Sequence, residues 1–220
     1  MKLALLYPYK GDPLRLNAAL THLDRMTDYE PLRVYLCFTG PEDDFESIPE
    51  IHGLEVIKFY STAKYSGPVQ AVNYAYHQAK EWGDLFANWS ADIELPGPIL
   101  DRVVESYQRN FPLGGGVLAL NDGYWGDKLA THCIFDRLFV DWLAHPGGGI
   151  WFDEYKFVGC DNENTERAKK AGRFAYDEKI QFIHPFPWER RSTEKKAALQ
   201  ADRELLEARR EMWRYREAII

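Results

Sequence analysis

Short apolar runs alternate with longer amphipathic segments through the first half of the chain. Apolar or alternating runs, which are typical of buried strands, occupy residues 2–7, 32–38, 53–60 and 85–89. Amphipathic helical patterns lie between and after them, over residues 12–26, 68–82 and 96–110. Asp12 is the expected N-cap of the first helix, because the Pro13 that follows it favours the first helical position. Strands that alternate with helices predict an α/β fold of βαβ units, with a mostly parallel, Rossmann-like central sheet flanked by helices.

The second half of the chain is less regular. Its pattern predicts a strand, an amphipathic helix, a charged helix and two short strands that pair, over residues 115–120, 132–144, 161–171, 174–176 and 180–184. Gly172 follows the charged helix at the position where glycine commonly ends a helix.

A charged, alanine-rich helix is predicted from residue 192. Its apolar side chains keep an alternating spacing of three and four residues and so form one stripe: Ala198, Ala201, Leu205, Ala208, Met212, Tyr215 and Ile219. We expect this stripe to pack on the main domain or on a second subunit of a homodimer. The chain is therefore expected to divide into a domain over residues 1–188 and an amphipathic C-terminal helix within residues 189–220.

Composition and charge narrow the class of protein. The 220 residues are 45% apolar and 28% charged, which argues against a wholly disordered chain. The net charge of −7 predicts no bulk attraction to nucleic acid or to an anionic membrane. A local excess of two basic side chains over residues 189–220 leaves a nucleic-acid contact open there, although a solvated helix face explains it as well.

From the sequence we expect no signal peptide, no membrane span and no disulfide scaffold. The first apolar run is too short for a signal peptide or for a membrane span, which needs roughly 20 apolar residues. Cys37, Cys133 and Cys160 are an odd number without CxxC spacing, which favours reduced thiols and a cytoplasmic protein, in a host cytoplasm if a phage encodes it.

Several common catalytic motifs are absent from the sequence. It contains no GxxxxGK[ST] phosphate loop, no GxGxxG after the first strand, no GxSxG and no HExxH, which disfavours kinases, dehydrogenases and hydrolases. Instead, Ser90, Asp92 and Glu94 follow a short buried strand, at the end of the sheet where α/β proteins bind ligands. Carboxylates there are suited to hold Mg²⁺ or Mn²⁺ against a diphosphate, although ordinary turn residues would give the same pattern.

Two blocks of residues resemble a known family. Gly67, Ala71 and Asn73 precede Ser90-Ala91-Asp92, and further on Phe152-Asp153-Glu154 precedes Gly159-Cys160-Asp161 and then Arg167, Ala171 and Gly172. In this order and on these elements the chain resembles the inverting, family 2 type of GT-A nucleotide-sugar glycosyltransferases, over residues 2 to about 188. Ser90 stands where the family's Asp-x-Asp motif has its first Asp, and Cys160 where the family usually has Glu.

The resemblance implies roles for these residues. Asp92 would bind a metal ion, with Glu94 or a water as the second ligand in place of an Asp at position 90, and His184 is a candidate late ligand or a structural histidine. Asp161 would be the general base, with its alternative a helix N-cap and with Glu163 as the competing base. The nucleotide sugar would contact residues of the first strand, the helix and the motif: Pro8, Tyr9, Asp12, Gly67, Asn73, Ser90, Ala91 and Asp92. Tyr9 is equally well explained by packing.

The acceptor is expected to bind the irregular second half. Five residues there are candidates for acceptor contacts, although either tryptophan is also explained as core: Asp122, Tyr124, Trp125, His132 and Trp151. The resemblance thus implies inverting transfer of a sugar from a nucleotide-diphosphate donor, most simply a UDP-sugar, to a hydroxyl acceptor such as a glycan. The small size of the chain, its aromatic-rich second half and its basic C-terminal helix leave a modified DNA base open as the acceptor. Mn²⁺ or Mg²⁺ would be the cofactor. The alternative is a non-catalytic GT-A-like protein that binds a nucleotide sugar or nucleic acid.

Overall fold

A computed structural model describes residues 1–27, 29–48, 50, 53–60, 67–184 and 193–217, with the side chains of residues 43, 193–195 and 214–217 outside the description. The strands are β1 Leu3–Tyr9, β2 Leu32–Phe38, β3 Val56–Tyr60, β4 Leu85–Asn88, β5 Val117–Asn121, β6 Cys133–Asp136 and β7 Phe174–Gln181. The α-helices are α1 Pro13–Arg25, α2 Glu42–Glu46, α3 Pro68–Ala79, α4 Leu100–Asn110, α5 Arg137–Leu143, α6 Cys160–Lys170 and α7 Thr193–Glu217.

All seven strands form one sheet in the order β3-β2-β1-β4-β6-β5-β7. Strands β1 to β4 are parallel to one another, and β7 is parallel to β5. Only β6 is reversed, since it pairs antiparallel with both β4 and β5. The predicted α/β class and the mostly parallel sheet flanked by helices are therefore confirmed.

Alternating side chains of the strands build a core on each face of the sheet. In β1, Leu3, Leu5 and Tyr7 pack on one face against α1 and α4, while Ala4 and Leu6 pack on the other face against α3. The first helix begins as predicted, because the Asp12 carboxylate accepts a hydrogen bond from the Leu14 amide at 2.9 Å. The predicted strands and helices of the first half are therefore present near their expected positions, whereas the short helix α2 was not predicted.

Two predictions for the second half are wrong. The predicted helix over residues 132–144 is strand β6 followed by α5, because Asp136 caps α5 through the Phe139 amide at 2.8 Å. Asp136 also accepts a hydrogen bond from the Gly115 amide, which ties this junction to the turn before β5. The two short strands expected to pair with each other do not do so: the first belongs to β7, which continues to Gln181 and pairs with β5, and Ile183 of the second bridges to Glu94 outside the strands.

The face of α7 that packs on the domain is not the predicted apolar stripe. The side chains of α7 that are buried against the domain are Leu199, Asp202, Leu206 and Trp213, with Arg209 partly buried between them. This face is shifted by one residue from the predicted stripe, whose members Ala201, Ala208 and Met212 are exposed. The pattern of apolar residues did not predict this face, because two of its members, Asp202 and Arg209, are polar and bind partners inside the domain. The Tyr215 side chain, Ile219 and the predicted boundary at residue 188 lie outside the described residues.

The structure also bears on membrane-spanning helices and on the three cysteines. No helix within the described ranges combines the length and apolarity that a membrane crossing requires. Cys37, Cys133 and Cys160 are all buried and free of disulfide bonds.

Candidate active site

A cleft of about 460 Å³ opens beside the carboxyl end of β4. Its wall combines the loop after β4, the residues before β6, the start of α6 and one face of α7. The structure brings seven of the sequence-predicted site residues to this cleft: Ser90, Asp92, Trp125, His132, Trp151, Asp161 and His184. A site at the ends of parallel strands is the expected position for a ligand in an open α/β sheet.

A short bridge between two loops builds the end of the cleft near β4. The backbones of Glu94 and Ile183 exchange two hydrogen bonds of 2.9 Å each, outside the regular strands. This bridge places His184 next to Asp92, with 3.5 Å between Nε2 and Oδ2. The Glu94 side chain is exposed and does not line the cleft, so the structure uses Glu94 through its backbone rather than as the predicted metal ligand.

Asp92 is held as an anion. Burial by itself would raise the pKa of its carboxyl, but hydrogen bonds from His184 and from the Ser90 hydroxyl outweigh burial and hold that pKa well below its usual range. Ser90, which stands where the resembling family has an aspartate, therefore supplies a hydrogen-bond donor to Asp92 instead of a second carboxylate. The result is a single ionised carboxylate at the end of β4.

His132 supports this end of the cleft. It lies just before β6 rather than at the start of the predicted helix, and its ring meets the His184 ring edge-on at 4.8 Å between centroids. Its Nδ1 is 3.3 Å from the Asn88 carbonyl oxygen. Burial, with a contribution from His184, lowers the pKa of His132 to about 4, so its ring is neutral at neutral pH. The structure thus groups His132 with Asp92 and His184, not with a separate acceptor site.

Two kinds of donor atom near Asp92 are suited to a divalent ion. Asp92 offers carboxylate oxygen and His184 offers imidazole nitrogen, both suitable for Mn²⁺. Within the part of the chain that the structure describes, no three or more His, Cys, Asp or Glu side chains are arranged to hold a metal ion. An ion there would fit only if oxygens of a bound substrate or water completed its coordination.

Asp161 faces the cleft from the first turn of α6. Gly159, with φ of +88°, occupies the N-cap position, so the alternative prediction of Asp161 as the cap is wrong. One carboxylate oxygen accepts a hydrogen bond from the Asn162 amide at 2.9 Å. Burial raises the pKa of Asp161 from 3.8 to about 6, against the opposing effect of backbone hydrogen bonds. A carboxylate with a pKa near neutrality is well matched to general base chemistry.

The predicted competing base, Glu163, is not available for chemistry. Its side chain is fully buried and does not line the cleft, and Arg209 of α7 binds both of its carboxylate oxygens at 2.5 and 2.6 Å. Tyr155 donates a third hydrogen bond at 3.0 Å. Although burial opposes it, the Arg209 guanidinium lowers the pKa of Glu163, so this residue is a structural anion. The assignment of Glu163 as a catalytic residue is therefore wrong.

The residues predicted to contact the nucleotide lie mostly outside this cleft. The Tyr9 hydroxyl donates to the Asp12 carbonyl at 2.9 Å, and its ring is buried next to Pro8, which is partly exposed. Asn73 is 4% exposed and binds both the amide and the carbonyl of Trp151. Gly67 is the N-cap of α3, next to Pro68 and Val69, which do line the cleft.

The other residues of the motif and the acceptor candidates have mixed positions. Ala91 is partly exposed between two lining residues but does not line the cleft. Asp122 is 3% exposed and accepts hydrogen bonds from the Tyr124 and Trp125 amides, so it shapes the turn that presents Trp125. Tyr124 is 59% exposed outside the cleft. Trp125 and Trp151 remain as aromatic walls of the cleft.

Sequence reasoning missed the contribution of α7. Leu199, Arg203 and Leu206 line the cleft, and Arg203 is the only lysine or arginine among the described lining residues. Asn88 and Thr131, beside the Asp92 cluster, were missed as well. Spacing of 199, 203 and 206 along one helix face was the available signal, but the apolar stripe one residue away obscured it.

Comparison with known proteins identifies the fold. No protein-family model and no curated protein matches the chain. Among solved structures, the chain is similar to a mannosyltransferase of Pyrobaculum calidifontis in complex with GDP-Man and Mn²⁺, with a TM-score of 0.66, 16% identity and coverage of 85% of this chain and 57% of that one. It is similar to residues 1–349 of TarS from S. aureus in complex with UDP-GlcNAc, with a TM-score of 0.60, 12% identity and coverage of 87% and 60%.

A third similar structure covers more of its own chain. The catalytic domain of Drosophila β1,4-galactosyltransferase 7, in complex with xylobiose, gives a TM-score of 0.55 at 14% identity, covering 90% of this chain and 79% of that one. The chain spans less than two thirds of the mannosyltransferase and of the TarS fragment. At these identities the likeness establishes the fold: the chain has the GT-A fold found in nucleotide-sugar glycosyltransferases.

Proposed function

We propose that the protein transfers a sugar from a nucleotide-diphosphate donor to a hydroxyl acceptor, with inversion at the anomeric carbon. The observation that carries this proposal is that one cleft of a GT-A fold is lined by two carboxylates, Asp92 beside His184 and Asp161 in the first turn of α6. Asp92 is held ionised beside His184, and Asp161 has a pKa raised towards neutrality. These are the properties that binding of a donor through a cation and deprotonation of an acceptor require.

The donor diphosphate is assigned to the Asp92 end of the cleft. Asp92 and His184 would hold Mn²⁺ or Mg²⁺ together with diphosphate oxygens, since the two side chains alone are too few ligands. When bound, the ion would offset negative charge on the departing diphosphate. The similar mannosyltransferase structure contains Mn²⁺ with GDP-Man, and a structure of the Drosophila galactosyltransferase contains manganese with UDP-Gal.

Asp161 is the proposed base. In a single displacement, the acceptor oxygen forms a bond to the anomeric carbon while the bond from that carbon to the diphosphate oxygen breaks. The acceptor proton passes to the Asp161 carboxylate, and the electron pair of the broken bond leaves with the diphosphate. A direct displacement of this kind inverts the anomeric configuration, and it needs no second carboxylate as a nucleophile.

A thermal-shift screen tests donor binding first. UDP-, GDP-, CMP- and dTDP-sugars are compared with and without Mn²⁺, because a ligand that binds only the folded protein raises its melting temperature. We expect a UDP-sugar with Mn²⁺ to give the largest shift, and donor hydrolysis then measures turnover without knowledge of the acceptor. Nucleotide binding without any turnover would favour the non-catalytic alternative, whose basis is the departure at Ser90 and Cys160 from the resembling family.

The acceptor is proposed to carry a flat or apolar face next to its hydroxyl. Trp125 and Trp151 line the cleft with the apolar side chains Leu129, Leu199 and Leu206, a surface suited to a sugar ring or a nucleobase. A glycan and a hydroxymethylated DNA base are therefore the two acceptors to test. Gel shifts at stepped salt concentrations separate them, and absence of binding to plain or hydroxymethylated DNA at low salt removes the DNA base.

The exposed face of α7 leads us to propose a homodimer. Ala201, Ala208 and Met212 are exposed on one side of this helix, and Leu205 is partly buried beside them. Light scattering over a range of protein concentrations measures the mass, and a Met212→Glu variant should lower it to that of a monomer. A monomeric mass for the unaltered protein at every concentration would refute the homodimer.

A further inference from the structure

The carboxylate of Asp202 in α7 accepts hydrogen bonds from three consecutive amides of a loop next to the cleft. Asp202 is 2% exposed, and its Oδ1 accepts a hydrogen bond from the Lys156 amide at 2.9 Å. Its Oδ2 accepts hydrogen bonds from the Phe157 amide at 2.7 Å and the Val158 amide at 3.0 Å. Hydrogen bonds to an ionised acceptor are the stronger kind, so three converging amides fix this loop firmly to the helix.

The loop leads directly to the proposed base. Phe157, Val158 and Gly159 line the cleft, and Asp161 follows Gly159 after one residue. A Cβ at Gly159 would stand 2.8 Å from the Tyr155 ring and 3.4 Å from the Asp202 carbonyl oxygen, so the backbone here passes closely between the two. The position of the first turn of α6 therefore depends on where α7 holds this loop.

A second contact of α7 holds the chain on the other side of Asp161. Glu163, two residues after Asp161, is bound by Arg209, whose guanidinium also lies 3.5 Å from the centre of the Phe152 ring. The Asp202 contacts end three residues before Asp161, and the Arg209 contact begins two residues after it. Contacts from α7 therefore hold the chain on both sides of Asp161.

The Asp202 carboxylate is buried, but the loop that it binds is partly exposed. Lys156 is exposed and Phe157 is 39% exposed, so the side chains of this loop contribute little to the core. Loss of these hydrogen bonds should therefore loosen the loop without unfolding the domain. This separates an effect on position from an effect on overall stability.

We propose that Asp202 is a positioning residue for the transfer reaction, which it serves by fixing loop 156–158 and hence the place of Asp161 relative to the acceptor hydroxyl. This inference rests on the proposed function, in which Asp161 takes the acceptor proton. Misplacement of a reacting group by about 1 Å can reduce a rate by roughly 10²-fold, so the loop is a sensitive point for the rate of transfer. Donor binding, which uses Asp92 and His184, should not depend on the loop.

The test compares Asp202→Asn with a matched variant of the same helix. Asparagine retains one oxygen for the amides of Phe157 and Val158, but its NH₂ group faces the Lys156 amide and cannot accept from it. Arg210→Gln is the control, because Arg210 binds Glu166 of α6 and neither residue lines the cleft. Both variants weaken the contact of α7 with the domain, and melting temperatures measure by how much.

Donor hydrolysis kinetics with the full chain give the readout, at a temperature well below each melting point. For Asp202→Asn we expect kcat to fall about ten- to a hundredfold with the donor KM unchanged, while Arg210→Gln keeps both. If Asp202→Asn fails to fold, Phe157→Pro removes one amide donor from the loop and leaves α7 intact, and the same loss of kcat is expected.

Each outcome decides the question. Equal kcat values for Asp202→Asn (or Phe157→Pro) and Arg210→Gln would overturn the positioning role while leaving the proposed function intact. A wild-type protein that binds donor but never turns it over would overturn the proposed function, and the positioning role with it. A rise in donor KM that accounts for the whole loss would instead assign Asp202 to donor binding, which also contradicts the proposal.

Discussion

Asp92 and Asp161 line the same cleft but occupy opposite environments. Burial pushes the pKa of each carboxyl upwards, so burial does not distinguish them. Asp92 also receives hydrogen bonds from His184 and Ser90, which reverse the direction of its shift. Asp161 has backbone amides as its hydrogen-bond partners, which are too weak to offset burial. Partners, rather than depth, therefore decide which carboxylate stays ionised and which one takes up a proton near neutral pH.

This difference assigns the two ends of the cleft to different tasks. A permanent anion next to an imidazole suits the binding of a cation and, through it, a diphosphate. A carboxylate with a pKa of about 6 suits proton transfer. The nearby carboxylate of Glu163 is suited neither to cation binding nor to proton transfer, because Arg209 binds both of its oxygens.

The largest expected effect is on catalysis at Asp161. Asp161→Asn should reduce the turnover of donor hydrolysis and of transfer by roughly 10²–10⁴-fold, because the amide cannot accept a proton at neutral pH. Donor affinity, measured by titration calorimetry, should stay within about twofold since the Asp92 end is unaltered. Near-wild-type turnover by this variant would remove Asp161 from the role of base.

Breaking the buried pair of Glu163 should come next in size. Arg209→Ala leaves a buried carboxylate without its main partner, which typically costs about 3–5 kcal/mol of folding stability. Urea unfolding measures this loss, and Arg210→Ala, whose ion pairs are partly exposed, is the control with an expected loss below about 1 kcal/mol. Equal losses for the two variants would contradict the structural role of Glu163.

Donor binding at the other end of the cleft should depend on the Asp92 carboxylate. Asp92→Ala should abolish the Mn²⁺-dependent part of donor binding, because His184 and Ser90 cannot replace a carboxylate. Ser90→Asp should strengthen that part severalfold by adding a second carboxylate, while leaving donor binding without metal unchanged or weaker. Undiminished binding of Mn²⁺ with donor by Asp92→Ala in titration calorimetry would remove Asp92 from the site.

A smaller effect is expected on stability as pH changes. The folded protein holds the Asp161 proton more tightly than the unfolded chain, because the folded pKa of about 6 exceeds the ordinary value of 3.8. Wild-type stability from this group therefore falls as pH rises through that window and stays lower above it. Asp161→Asn avoids this cost, so its melting temperature should exceed that of wild type above pH 6 and match it below about pH 4. An advantage that persists at pH 4 would point to a cause other than charge.

The sequence carried strong local signals for the first half of the fold, whereas Asp92 and Asp161 were singled out as site residues by the resemblance to a family. Asp12 with Pro13, and the buried run before Asp92, are short-range patterns, so the structure follows them closely. The contacts of α7 leave no such pattern. Asp202 and Glu163 bind partners that lie about 45 residues away in the sequence. A polar residue on a helix is ordinarily predicted to face solvent, so the sequence does not show that it is buried. For the same reason the face of α7 that lines the cleft could not be predicted.

The most direct test of the two-carboxylate assignment is the pH dependence of kcat/KM for donor hydrolysis. We predict an acidic limb with an apparent pKa near 6, which falls as the base becomes protonated and which is lost in Asp161→Asn at its low residual rate. Titration calorimetry over the same pH range measures donor affinity separately, so that a limb caused by the base is distinguished from one caused by loss of donor binding. An acidic limb that persists in Asp161→Asn, or that follows donor affinity, would contradict the assignment of Asp161 as the base.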